Sequence, residues 1–394
     1  MTAAKLPDRV GLGVVGLGRA FTLMLPALRA DPRFSLVAAA DPRPDALAHF
    51  ASEFGGRTYP NAAALAADPA VAAVYIATPH QCHAADAIAA ANAGRHVLVE
   101  KPMALSLHEA ASMVAAARRA GVQLIVGPSH SFDAPIRLAR DLIVSGRYGS
   151  LRMLQLSTYT DFLYRPRRPE ELDTARGGGA VFNQAAHQVD IARLLGGGHV
   201  LTLRAHAAAW DRARPTEGAY SALLGFAGGA FASLTYSGYG HYDTDALCGW
   251  IGEDGRRKDP AQHGAARRRL AEAGMQGEAD LRAARGYGTA AAAEAPPDAH
   301  PHFGLVIAGC EAADLVPTPL GVEIHGDTIR DFIPARPAWP PRREVLDALF
   351  DAVVFGRPPV QTGEWGLATL EACLAILQSA REAREVTLHH QVPA

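Results

Sequence analysis

The sequence predicts an α/β plus α+β chain: an N-terminal Rossmann domain with a doubly wound parallel sheet, then a domain built on a large open, mainly antiparallel sheet. Three observations carry this prediction. Residues 10–29 form a strand, a glycine turn and a helix in immediate succession. Strands and helices then alternate up to residue 126, the rhythm of parallel βαβ units. From Arg152 onward extended segments follow one another with few helices between them. At 394 residues the chain exceeds one ordinary core, so two domains are expected. The boundaries predicted are 1–128 for dinucleotide binding and 129–394 for substrate binding and oligomerisation, with 255–297 as an insertion or mobile loop.

The first strand, 10–16, runs into Gly16-Leu17-Gly18-Arg19, and an apolar-periodic helix covers 21–29. Gly16 and Gly18 allow a tight turn and a close backbone approach to a pyrophosphate, whose charge the helix-start N–H groups at Arg19 and Ala20 can receive. The third glycine of the full fingerprint is absent, since Phe21 stands there. A second strand, 34–40, ends in Asp41, where an acid would hold the adenosine ribose hydroxyls. That carboxylate would repel a 2′-phosphate and so favours NAD. Arg43 keeps NADP open, because it could pair with such a phosphate.

Helices are expected at 44–54 and 62–67, and a strand at 73–77 that ends in Thr78-Pro79. A helix at 83–93 stops at Gly94, a strand covers 97–99, a helix 106–120 and a strand 122–126. Beyond 152 the extended segments are 153–160, 200–209, 221–226, 230–236 and 246–251, with one helix at 182–195. Strand patterning resumes at 305–309 and 320–329, and helices at 342–355 and 363–385 close the chain.

The formal net charge of −2 gives no pull toward nucleic acid or anionic membrane. Residues 1–9 hold no apolar signal core and no stretch is long and apolar enough to span a bilayer, so a cytoplasmic protein is expected. The four cysteines, Cys82, Cys248, Cys310 and Cys373, are scattered, which argues against a disulfide framework and against structural zinc; no metal is expected. Exposed sheet faces in the second domain suggest a homo-oligomer, a dimer or tetramer.

Chemistry concentrates in four places. Val97-Leu98-Val99 ends in Glu100-Lys101-Pro102, which puts an acid and a base at the carboxyl edge of a parallel sheet, where such sheets hold ligands. Lys101 is a candidate acid–base group. Thr78 and Pro79 also end a strand and are candidates to line a nicotinamide ribose, although a proline-shaped turn accounts for them equally well. After three glycines, Asn183, His187 and Asp190 fall on one helical face, and His187 could move a proton. A satisfied core histidine with Asn183 as a cap is the plainer alternative. Finally Tyr159, Arg165, Arg167, Arg168 and Arg176 lie in a proline-rich stretch suited to carboxylate groups, and His130 is a further anion candidate. A solvated loop or an oligomer contact is the alternative for the arginines.

Taken together, Gly16-Leu17-Gly18, Asp41, Ala77-Thr78-Pro79, His83, the run from Gly94 to Pro102, the glycine-led His187 helix and the Pro358-Pro359-Val360 ending resemble the Gfo/Idh/MocA family of nicotinamide-dependent oxidoreductases. The resemblance spans nearly the whole chain, and it implies a catalytic Lys101 assisted by His187. It also implies a cofactor site that includes His83, Glu100 and Lys101, with Glu100 orienting the lysine or the nearby backbone. Two departures stand out: Phe21 at the third glycine site, and Asn183 where the family's Asp-x-x-x-His pair has its acid. The run from Gly127 to Asp133, the arginine loop and Phe182-Asn183-Gln184 are similar to the branch of phthalate 4,5-cis-dihydrodiol dehydrogenases (4,5-dihydroxyphthalate dehydrogenases) of aromatic degradation. That branch implies a small anionic substrate, a carboxylated cyclic diol, with His130, Tyr159, the four arginines and Asn183 near it. A sugar or cyclitol dehydrogenase, and a catalytically silent nicotinamide-binding regulator, are the alternatives.

Overall fold

The computed structural model describes residues 9–289, 296–336 and 340–394. The expectation for the start of the chain, and part of that for 255–297, fall outside these residues. The described chain divides into two units. The first comprises residues up to 128 with 283–289 and 342–367; the second comprises 129–282, the described part of 294–341, and 368–394. The Rossmann unit thus takes up two later segments as well as the expected N-terminal stretch.

In the first unit β1 (Val10–Val15), α1 (Arg19–Ala30), β2 (Phe34–Ala40), α2 (Pro44–Phe54), β3 (Arg57–Tyr59), α3 (Ala62–Ala66), β4 (Ala73–Ile76), α4 (His83–Asn92), β5 (His96–Val99), α5 (Leu107–Ala120) and β6 (Leu124–Val126) follow in order. The strands pair in the order β3-β2-β1-β4-β5-β6, and every pairing is parallel. Their sequences read as unbroken apolar runs because both faces are covered: β4 is buried throughout and β5 nearly so. Local chemistry sets the helix ends. Ser106 and Glu109 form a reciprocal capping box at the start of α5, and Gly121 ends it at a φ of 65°.

In the second unit α6 (Ala134–Val144), β7 (Leu151–Tyr159), α7 (Ala186–Leu195), β8 (Val200–Ala208), β9 (Ala219–Phe226), β10 (Phe231–Ser237), α8 (Ala265–Ala283), β11 (Leu305–Cys310), β12 (Ala313–Thr318), β13 (Gly321–Gly326) and β14 (Arg330–Pro334) are the main elements. Helix α9 (Arg343–Phe355) belongs to the first unit, the division falls within α10 (Gly363–Glu382), and β15 (Val386–Thr387) follows. The nine strands run β14-β13-β12-β11-β7-β10-β9-β8-β15. Only the β7–β10 pair is parallel. Alternation along β7, β9 and β10 buries Leu154, Leu156, Ala222, Leu224, Ala232 and Leu234 on one face. The opposite face leaves Met153, Leu223 and Phe231 exposed.

Several sequence expectations need correction. Residues 246–251 are not a strand: Thr244–Cys248 is a 3₁₀ turn, capped by the Asp243 carboxylate accepting from the Asp245 N–H at 3.0 Å. Residues 320–329 split, since β13 ends at Gly326 and turns back into β14. The helix expected at 182–195 opens with a π turn over Val181–Ala185 before α7 begins. Within the stretch 255–297, for which a helical excursion or a mobile loop is expected, residues 265–283 are helical with a kink at Gly274; α6 had no counterpart in the sequence prediction.

Candidate active site

The carboxyl edge of the parallel sheet gathers the candidate cofactor residues. The turn after β1 needs glycine at position 16, whose φ is +92° and where an added Cβ would sit 2.7 Å from the Ala77 carbonyl oxygen. Gly18 is the N-cap of α1, has no side chain to cap the helix, and a Cβ there would meet nothing within 4 Å. This is a cradle for a pyrophosphate. Asp41 is buried, its Oδ2 accepting from the Leu17 N–H at 2.7 Å. Its Oδ1 accepts from the backbone N–H and Nε of Arg43, both at 2.9 Å, while Arg43 Nη2 donates to the Leu17 carbonyl at 2.8 Å. Asp41 therefore ties the glycine turn to the tip of β2, and Arg43 clamps both. The glycine turn is open enough to fit the NAD of a Rossmann domain, while both oxygens of Asp41 are engaged by Leu17 and Arg43.

Phe21 does not disturb this turn. Its ring is fully buried, against Phe50 at 6.5 Å and edge-on to Tyr287 at 5.1 Å. Tyr287 comes from the later segment of this unit, donates its hydroxyl to Glu53 at 2.6 Å, and donates its backbone N–H to the Leu17 carbonyl at 3.3 Å. The bulky residue at the third glycine site thus has its own aromatic pocket.

The ends of β4, which pairs with β1, and of β5, which pairs with β4, carry the remaining groups. His83 is fully buried and its two ring nitrogens face backbone carbonyls, Nδ1 that of Pro102 at 2.8 Å and Nε2 that of Thr78 at 2.9 Å. It braces the turn after β5 against the turn after β4. The Thr78 hydroxyl donates to Asp86 at 2.9 Å, and Pro79 opens the short turn that leads into α4. Glu100 is buried, accepts from the Tyr75 hydroxyl at 2.7 Å and lies 4.0 Å from Arg342. Burial raises its pKa, against the pull of Arg342, the Tyr75 hydroxyl and Lys101. Lys101 is half-buried at the end of β5, so the side chain keeps access to solvent.

The second unit assembles a distinct polar and aromatic centre. His187, near the start of α7, packs edge-on to His130 with ring centroids 4.7 Å apart. The Ser129 hydroxyl lies 3.5 Å from His187 Nδ1, and His130 Nδ1 lies 2.7 Å from an oxygen of Asp133. Phe303 completes the group, 4.9 Å from His187 and 5.2 Å from His130. Gln188, the next residue along α7, fastens the helix to the sheet. It donates to Thr158 at 3.1 Å and to the Thr235 carbonyl at 3.1 Å, and it accepts from the Tyr220 hydroxyl at 2.7 Å. Thr158 in turn donates to the Phe303 carbonyl at 2.9 Å. Asp190, expected on the His187 face, is taken by Ser131 at 2.5 Å.

Asn183 sits in the π turn and donates to the Gly179 carbonyl at 2.8 Å. A carboxylate that sequence reasoning passed over supports the same helix start: Glu217 accepts from the Val181 N–H at 3.0 Å, and burial raises its pKa. Gly179 makes room for it, since a Cβ there would overlap the Glu217 carboxylate.

The arginine loop holds its own counter-charges. Arg165 donates to Glu253 at 2.9 Å, to Thr160 at 2.7 Å and to Asp161 at 3.2 Å. Arg167 stacks over Phe162 at 3.5 Å and donates to its carbonyl at 2.9 Å. Arg168 lies 3.1 Å from Glu170, and Glu171 gathers Arg168 and Arg282. Arg176 is exposed on the short turn before the glycines, and Tyr159, 37% exposed, ends β7. Sequence reasoning missed Gln188, Glu217, Tyr236 and Phe303 because the groups they meet lie far away along the chain, and it gave no role to Asp133, whose partner His130 is only three positions away.

Comparisons with known proteins bear on the family and the fold. Residues 10–128 match the oxidoreductase family with NAD-binding Rossmann fold, Gfo/Idh/MocA, and residues 136–257 match a Gfo/Idh/MocA C-terminal domain. The chain is 47% identical over 383 residues, 94% of each protein, to 1-carboxy-3-chloro-3,4-dihydroxycyclohexa-1,5-diene dehydrogenase of Comamonas testosteroni. The crystal structure of a protein from Bordetella bronchiseptica RB50, assigned as a dehydrogenase, superposes with a TM-score of 0.91 at 40% identity, covering 96% of this chain and 100% of that one. Levoglucosan dehydrogenase with NADH and levoglucosan shares the fold, with a TM-score of 0.74 at 19% identity over 96% and 99% of the two chains. Among the described residues no helix is long and apolar enough to cross a membrane. The chain belongs to the Gfo/Idh/MocA family of NAD-dependent oxidoreductases.

Proposed function

We propose that the protein oxidises a ring-carboxylated cyclic cis-diol, with a phthalate-type cis-dihydrodiol giving 4,5-dihydroxyphthalate as its most specific form. The observation that carries this reading is the 47% identity over 94% of both chains to a dehydrogenase named for a carboxylated dihydroxycyclohexadiene. Bound NAD supplies the hydride acceptor. Lys101 takes the proton of the substrate hydroxyl, and His187 is the group in the second unit assigned to proton handling. The carbinol carbon loses hydride and its oxygen loses a proton, leaving a ketone. In a dihydrodiol that ketone tautomerises to the aromatic catechol, which draws the reaction forward. His130 and the arginine loop are assigned to the anionic end of the substrate, with Asp41 and the glycine turn assigned to the cofactor.

One observation favours a second reading. Arg165 and Arg168 already face Asp161, Glu253 and Glu170, so an uncharged cyclitol or sugar would meet a balanced wall. NAD reduction over a panel of carboxylated diols, uncharged diols, cyclitols and sugars decides between them. Preference for the carboxylated diols is expected, and equal or better rates with cyclitols would overturn the proposal. The exposed Met153, Leu223 and Phe231 on the open sheet face are where a second copy of the chain is proposed to dock.

A further inference from the structure

Tyr236 lies on β10 with only 1% of its surface exposed, and among the described residues its hydroxyl has no hydrogen-bond partner. A buried hydroxyl without a partner costs about 1–3 kcal/mol, so a native protein keeps one chiefly where something else meets it. The position of this ring suggests what that is. It stacks parallel to Phe303 at a centroid distance of 6.1 Å, and Phe303 in turn touches His187 and His130. On another side Tyr236 meets the ring of Phe162 edge-on at 6.4 Å, and Phe162 carries the Arg167 guanidinium on its face. Tyr236 therefore stands in one aromatic row with the histidine pair and beside the arginine loop.

The charges acting on its hydroxyl are those of Glu253, Arg165, Arg167 and Asp161, two of each sign. Burial raises the tyrosine's pKa, which keeps the hydroxyl a proton donor. Because the arginines are balanced by carboxylates, raw positive charge is a poor discriminator at this wall. A directed neutral donor is a better one.

We infer that the Tyr236 hydroxyl is the donor that receives the ring carboxylate of the substrate, beside Arg165, and so sets the preference for carboxylated over uncharged rings. This rests on the carboxylated-diol reading above. It adds a specificity residue contributed by β10, outside the arginine loop. Hydrogen bonds to a charged group are strong enough that losing one shifts binding by roughly tenfold or more.

The test compares kcat/KM for a cis-dihydroxycyclohexadiene carboxylate with that for the same ring bearing a methyl group in place of the carboxylate. Wild type is expected to prefer the carboxylate. Tyr236→Phe keeps the ring stack and is expected to cut that preference by about tenfold or more, mainly through a higher KM for the carboxylate. Tyr220→Phe is the control: it removes the hydrogen bond to Gln188 and is expected to lower both activities alike, leaving their ratio intact. If Tyr236→Phe retains the wild-type ratio, or lowers both activities in parallel as Tyr220→Phe does, the assignment of Tyr236 fails while the carboxylated-diol reading stands. If wild type itself does not prefer the carboxylate, that underlying reading fails.

Discussion

The side-chain amide of Asn183 donates to the carbonyl oxygen of Gly179 at 2.8 Å, inside the π turn that leads into the His187 helix. The family's acid at this position would set two acceptors against each other, so the amide belongs to the local backbone path. Asn183→Asp, which restores the family pattern, is therefore expected to destabilise the protein by about 1–3 kcal/mol near neutral pH. Protonation would return a donor to the site, so the folded-state pKa of this aspartate lies above its unfolded value. The penalty is then absent at low pH and develops as pH rises from the ordinary carboxyl range through that raised value. Urea unfolding at about pH 3 and about pH 8 measures it. Equal stability of variant and wild type at the higher pH would mean that the amide's donation contributes nothing.

Two glycines of the first turn are predicted to behave differently. At Gly16 the backbone has a φ of +92° and a Cβ would crowd the carbonyl of Ala77, so Gly16→Ala must move the turn itself. NADH affinity, followed by fluorescence titration, is expected to fall by at least about tenfold together with a loss of stability. At Gly18 a Cβ meets nothing within 4 Å. Gly18→Ala should keep stability within about 1 kcal/mol of wild type, so any fall in NADH affinity there reports close approach by the cofactor. Similar stability losses in both variants would contradict this division.

Much of the parallel unit was legible because its signals are local. A glycine turn, an acid at the tip of β2, and Glu100-Lys101-Pro102 after an apolar strand each declare themselves within a few residues. The Phe21 departure was visible, but its accommodation was not, since Tyr287 lies more than two hundred positions away and no periodicity links them. The second unit was harder for the same reason. His187 was marked by its spacing, whereas Phe303, Tyr236 and Gln188 acquire meaning only when β7, β10 and the segment before β11 converge. Residues 246–251 misled through their apolar content, because the Asp243 cap and the left-handed Gly249 and Trp250 override strand propensity. The basic residues of the arginine loop were evident, but Glu253, which pairs with Arg165, and Glu278, which accepts from the Arg167 backbone N–H, come from distant stretches.

Lys101 stands at the carboxyl end of β5, and the turn that carries it is held by His83 through the Pro102 carbonyl. As the group assigned to the hydroxyl proton, it should be replaceable without loss of cofactor binding. Lys101→Met keeps the aliphatic stem and is expected to lower turnover by about 10²–10⁴-fold, the range of a lost general base, while NADH affinity changes by less than about threefold. A variant of near wild-type kcat would remove Lys101 from proton transfer. A variant that fails to bind NADH would instead make it chiefly a cofactor ligand.

Glu171 is the hub of the arginine loop. It accepts from the Arg168 N–H at 2.8 Å and from Arg282 at 2.5 Å, and it lies 4.0 Å from Arg167, with its side chain only 12% exposed. Burial alone would raise its pKa, but Arg167, Arg282 and the Arg168 N–H outweigh burial and hold it below the ordinary glutamate value of 4.5. A carboxylate whose folded pKa is depressed contributes stability that is fully present above its unfolded pKa and lost as pH falls through the folded value. Glu171→Gln leaves those cations without their shared partner and is expected to cost about 2–4 kcal/mol near pH 7. The gap between wild type and variant should narrow steadily once pH drops below about 4.5, as wild-type Glu171 takes up its own proton. Urea midpoints collected across that range give the comparison. A gap that stays constant down to acid pH would show that Glu171 stabilises the loop through packing and not through its charge.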